Sequence, residues 1–107
     1  MIRERELIAQ FAMLEHNVLT TWVEEGLVKP ACDHDGYLFD QVDQSRVALA
    51  CDLHYRMGLE HASLPIILSL VDQIHDVRHR LRTITLALAD QPESVRLEIM
   101  RRLEDSL

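Results

Sequence analysis

Two cysteines and six histidines give this 107-residue chain its widest chemical range. Cys32-Asp33-His34 and Cys51-Asp52-Leu53-His54 supply two thiols and two imidazoles, a donor set that zinc takes in a tetrahedron. The first pair is closer in sequence than zinc motifs usually allow, and the two pairs fall in a predicted loop and a predicted helix. His75 and His79 sit one helical turn apart with Asp72 and Asp76 beside them, but no cysteine follows Cys51. Cys51 reads as a small buried residue. No metal site and no cofactor are expected. Catalysis is not expected either. The chain has no glycine-rich phosphate loop, no nucleophile elbow and no His-Glu-x-x-His. Two Phe, two Tyr and one Trp leave little material for a cofactor pocket.

What remains is charge. Lys and Arg number 11 against 18 Asp and Glu, for a net charge of −7. Residues 1–77 carry five basic and thirteen acidic side chains, net −8, while residues 78–107 carry six and five, net +1. Nucleic-acid modules usually present a basic face, so the acidic two thirds point to a basic protein surface as partner. The plainer alternative is a solvated face that aids solubility. Hydrophobic residues at 48% and charged residues at 27% are ordinary for a folded domain and exclude wholesale disorder. No apolar run approaches the roughly 18–20 residues of a membrane span, and the start, MIRERELIAQ, is too charged for a signal peptide. With so few cysteines to form disulfides, a cytoplasmic protein with one structural domain is expected.

These residues need elements to position them. Leu7, Ile8 and Phe11 form a stripe on a predicted helix over 4–13, and Val18, Leu19, Trp22 and Val23 form one over 17–25, with Asn17 as N-cap. Pro30 and the Asp35-Gly36 pair predict a short hairpin over about 27–39. A third helix over 41–57 places Val42, Val47, Ala50, Leu53 and Met57 on one face, and Gly58 follows as its C′ residue. Pro65 sits in the first turn of a helix over 65–89. There Ile67, Leu70, Ile74, Val77, Leu81, Ile84 and Leu88 alternate by three and four, a coiled-coil seam. At about 37 Å this helix is longer than a small globule needs. Its seam requires a partner, either a final helix over 93–105 or the same helix of a second subunit, and a homodimer is the expectation. The domain plan is a module over 1–62 followed by the long helix and a short last helix over 63–107.

Gly26-Leu27-Val28-Lys29-Pro30, then Gly36-Tyr37-Leu38-Phe39-Asp40, Val42-Asp43, Arg46 and Tyr55-Arg56-Met57-Gly58-Leu59 resemble the winged helix of MerR-type regulators. The resemblance implies a mainly α fold: a MerR-like winged helix-turn-helix with a short β-hairpin wing and a long C-terminal helix. The departures concern DNA. Where the family has Arg-Tyr-Tyr-Glu on its second helix, this chain has Thr20, Thr21, Trp22 and Val23; Glu24 follows where Arg is frequent, and Leu38 replaces the wing Arg. Lys and Arg neutralise phosphates, so the family's DNA chemistry is missing. The MerR-like DNA-binding transcriptional regulator is therefore the alternative reading.

From Leu7 to Leu88 the chain is similar to the CbpM family of chaperone modulators, small MerR-like proteins that bind the J-domain of a DnaJ-type, CbpA-like co-chaperone. The shared features are the Gly26–Pro30 turn, the shortened wing ending in Phe39-Asp40, and the segment Ile66–Ile74 with the leucine-rich helix after it. Gln73 stands where the family has the second of two aspartates, Met13 where it has Gly, and residues 90–107 extend past the family's usual end. The resemblance implies inhibition by masking the basic Hsp70-binding surface of the J-domain. Candidate partner-binding residues are Glu24, Glu25, Asp33, Asp35, Asp40 and Asp43, with Asp72 and Asp76 as a second patch. Trp22 reads as core, with an interface anchor as the alternative.

Overall fold

The few glycine and proline residues fall at or next to element boundaries in the computed structural model, which describes residues 1–106. The order is β1 (Ile2–Arg3), α1 (Glu4–Ala9), α2 (His16–Glu24), β2 (Ala31–Asp33), β3 (Gly36–Phe39), α3 (Gln41–Cys51), α4 (Leu64–Ala89) and α5 (Glu93–Ser106). A π-helical turn, Asp52–Arg56, continues α3, and a 3₁₀ turn, His61–Ser63, leads into α4. The fold is mainly helical with a small antiparallel sheet of order β1-β3-β2. It divides into two units, Met1–Leu70 and Val71 onward. Among the described residues, no helix is long and apolar enough to cross a membrane.

In the first unit the core is built from one stripe per helix, one residue of β3 and the connecting residues Leu14, Leu27 and Val28. Leu7, Leu19, Trp22, Val28, Phe39, Val47, Leu64 and Leu68 are fully buried. Gly26 (φ +80°) after α2 and Gly58 (φ +72°) after the π turn take left-handed backbone that other residues adopt only at a steric penalty. The second unit, the remainder of α4 with α5, buries no side chain among the described residues.

Several expectations shift in detail. The two-residue β1 was not anticipated; it pairs Ile2 with Phe39 and Arg3 with Leu38. The hairpin pairs Asp33 with Gly36, so its turn residues are His34 and Asp35 rather than Asp35 and Gly36. Helix α1 stops at Ala9, four residues early, because the chain tightens through Gln10 N–H to Leu7 O and Phe11 N–H to Ile8 O, both 3.1 Å. That turn brings Phe11 against the core and buries Leu14. Asn17 is not the N-cap of α2, since the Glu15 carbonyl already accepts from Leu19 N–H at 3.1 Å. On α3, Val47 and Ala50 are buried, as is Leu53 in the π turn, but Val42 and Met57 at the two ends point to solvent. The π turn widens the helix by one residue per turn, so a single helical period does not hold from Val42 to Met57.

Trp22 joins these pieces. Its indole is fully buried, and its Nε1–H donates to His61 Nδ1 at 3.3 Å. The rings of His61 and His54 stack with centroids 3.9 Å apart, and His54 Nδ1 lies 2.7 Å from the Leu59 carbonyl. Buried indoles need such a partner for the N–H, and here the partner sits on the link between the π turn and α4. Trp22→Ala should destabilise the protein by about 3–5 kcal/mol, measured by urea unfolding followed by far-UV circular dichroism. Trp22→Phe, which keeps ring volume but drops the N–H, should lose clearly less.

Candidate protein-binding surface

The eight candidate carboxylates sort by what they already hold. Asp40 and Asp43 are structural. They form a reciprocal capping box on α3: Asp43 N–H donates to Asp40 Oδ1 at 2.8 Å and Asp40 N–H to Asp43 Oδ2 at 3.0 Å. Asp43, expected on the surface, is only 7% exposed, because its cap turns it back onto the chain. Burial pushes the Asp43 carboxyl up, while the backbone N–H of Asp43 holds Asp40 below the usual carboxylate range. Gln44 Nε2 on Phe39 O (3.1 Å) and Arg46 Nε on Leu27 O (2.7 Å) brace the same corner.

Asp33 is also engaged. The Arg3 guanidinium grips it with a two-pronged fork, Nη1 to Oδ1 at 2.8 Å and Nη2 to Oδ2 at 2.9 Å. This pair closes the sheet across thirty residues and lowers the Asp33 pKa, chiefly through the Arg3 hydrogen bonds. Asp35 lies 4.0 Å from Arg3 and 3.3 Å from His34 Nε2, and donates its own backbone N–H to Asp33 Oδ1. On α4, Asp76 pairs with Arg80 one turn on at 3.2 Å, and Asp72 is exposed.

Glu24 and Glu25 differ from these. They end α2, both exposed, and make no ion pair among the described residues. Carboxylates at a helix C-terminus oppose the helix dipole, so stability alone does not favour them there. On the same helix Thr20 and Thr21 turn their hydroxyls onto the His16 and Asn17 carbonyls at 2.9 Å. Trp22 faces inward, as core.

The metal alternatives fare differently. Among the described residues, Asp33, His34 and Asp35 have ligand atoms within 4.8 Å of one another, but all three are exposed and Asp33 is committed to Arg3. Cys51 does not join His54 in a ligand cluster; it lies against the core, and burial together with the nearby Asp52 pushes its thiol up to about 11. A thiol so raised is a poor nucleophile and a poor ligand at neutral pH.

Sequence reading missed Arg3, which holds Asp33, and the paired imidazoles of His54 and His61, which hold the core Trp22. Neither carries a local signal, since each acts on a residue distant in sequence or on a backbone carbonyl. No protein-family model, curated protein or solved structure matches the chain significantly.

The Arg3–Asp33 fork makes a signed prediction. Because the folded pKa of Asp33 is depressed, its contribution is full above the unfolded value of about 3.9 and fades as pH falls through the folded value. The gap in thermal stability between the wild type and Asp33→Asn should be widest near neutrality and close below about pH 4, read from melting curves across the acid range.

Proposed function

We propose that the chain is a CbpM-type, MerR-like winged-helix modulator. It binds the basic surface of a J-domain and blocks access of Hsp70. The element order supports the fold part of this reading: two short helices, a hairpin, a third helix, then a long one. The observation that carries the functional part is the free acidic end of α2, Glu24 and Glu25, with Glu24 at a position where the DNA-binding proteins it resembles often have Arg. Three of the five cations of the same unit are engaged, Arg3 by Asp33, Arg46 by the Leu27 carbonyl and Arg56 by Asp52 at 3.6 Å, and none of the five lies on α2. With the Thr20 and Thr21 hydroxyls bonded to their own helix and no Lys or Arg on it, the C-terminal half of α2 offers phosphate no cation and no free hydroxyl donor. It offers a basic protein helix two unpaired carboxylates. Inhibition follows from occlusion. The bound module occupies the surface that Hsp70 needs, and no covalent step is involved. Such charges raise on-rate and select the partner, and packed apolar contacts add lifetime.

Calorimetric titration of the protein into an isolated J-domain from the same cell tests the reading. Micromolar or tighter binding that weakens with salt is expected. Replacing both Glu24 and Glu25 by Lys should weaken it at least about tenfold, the size of effect that close interfacial charge pairs produce. Absence of binding to every J-domain of that cell, or salt-sensitive binding to duplex DNA instead, would sink it.

A further inference from the structure

The partners of His54 and His61 assign their tautomers. The indole N–H of Trp22 only donates, so His61 accepts it at 3.3 Å through an unprotonated Nδ1 and keeps its own proton on Nε2. The Leu59 carbonyl only accepts, so His54 carries its proton on Nδ1, 2.7 Å from that oxygen. The two rings stack with centroids 3.9 Å apart and planes tilted by 34°.

A second proton acts differently on the two rings. On His54 it goes to Nε2 and leaves the bond to Leu59 in place. On His61 it goes to Nδ1, the atom that accepts from Trp22. Two N–H groups would then face each other, and the indole, with no exposure of its own, would lose its acceptor. An unpaired donor in the core is costly. His61 is exposed and turns to water without crossing the core. A metal ion on Nε2 is not the natural trigger, because a ligating imidazole donates its other N–H, and Trp22 leaves His61 Nδ1 no room for one.

Among the described residues, no carboxylate holds the charged ring in place. The histidines paired with carboxylates are His16, 2.6 Å from Glu4, and His34, 3.3 Å from Asp35. On the π turn, Asp52 pairs with Arg56 at 3.6 Å, and Tyr55 meets His54 edge-on at 4.8 Å between centroids. Burial pushes the Tyr55 hydroxyl up, with Cys51 and Glu15 nearby. Glu60 on the link and Glu24 and Glu25 at the end of α2 are exposed, and residues 64–70 of α4 carry no charge. The stacked His54, once charged, repels a charged His61.

We infer that His61 is a proton-controlled tie. Neutral, it fastens residues 57–63 to α2 through the Trp22 N–H. Protonated, it lets go, and the link loosens while the core stays packed. Release is local because Leu64 and Leu68, both fully buried, seat the start of α4 without help from His61. Histidine is the side chain whose charge changes between about pH 5 and 8, so the tie opens on mild acidification. The inference stands apart from the J-domain reading, because it uses no residue of the acidic end of α2.

Nuclear magnetic resonance of the wild type tests it: histidine ring nitrogens, the indole N–H and backbone amides are followed together from about pH 8 to pH 5. Trp22 is the single tryptophan, so its indole signal is unambiguous. At the alkaline end His61 should carry its proton on Nε2 and none on Nδ1. As His61 gains charge, the hydrogen-bonded indole signal should be lost, and the amides of residues 59–62 should shift with the same midpoint. The amides of Leu7 and Val47 should hold. His61→Gln, whose side-chain oxygen accepts at every pH, should keep the bonded indole signal across the range. A proton on His61 Nδ1 at the alkaline end would overturn the inference. So would an indole signal that ignores the charge on His61, one that is lost equally in His61→Gln, or a His61 that stays neutral throughout.

Discussion

The indole of Trp22 must lie in the core with its N–H satisfied, and most of the first unit follows from that requirement. Burial of Trp22 and Leu19 fixes the rotation of α2. The N–H then ties α2 to His61, and the stacked His54 and its Leu59 contact hold the link between the π turn and α4. Once that link is fixed, Leu64 and Leu68 can seat the first two turns of α4 in the same core. Glu24 is thereby turned away from Trp22 to solvent, and Thr21 and Glu25 are exposed beside it.

Carboxylates divide the work. Those near the sheet and α3 stabilise the fold: Asp33 in a guanidinium fork, Asp40 and Asp43 in a reciprocal cap. Those at the end of α2 have no internal duty and sit where the helix dipole disfavours them. Of the five cations of the first unit, Arg3, Arg46 and Arg56 are engaged within the fold, while Arg5 and Lys29 make no ion pair among the described residues. The proposed docking on a basic protein surface rests on the two carboxylates at the end of α2; phosphate recognition there would need guanidinium or ammonium groups, and α2 carries none.

Much of this was legible in the chain. Pro65, Gly58 and Pro92 mark real boundaries, and the three-four alternation of α4 appears where the spacing placed it. Helix α5 runs Glu93–Ser106, within a residue of the predicted segment. Elements that depend on distant partners were not legible. Ile2 and Arg3 become a strand only because β3 lies alongside them, and the Arg3–Asp33 fork spans thirty residues. The π turn hides because Asp52–Arg56 has no composition that separates it from an α-helix. For the candidate surface, the sequence identified the acidic residues but not their duties. An aspartate at N3 of a helix looks the same on paper whether it faces a partner, as Asp43 was expected to, or folds back as a cap.

The most direct test of the central claim is to follow the backbone amide spectrum of the isotopically labelled protein as an unlabelled J-domain is added. The account predicts perturbations clustered on Glu24, Glu25 and the residues just beyond α2, with Leu81 and Ile84 of α4 unmoved. A spectrum that does not change, or changes confined to residues away from the end of α2, would contradict it.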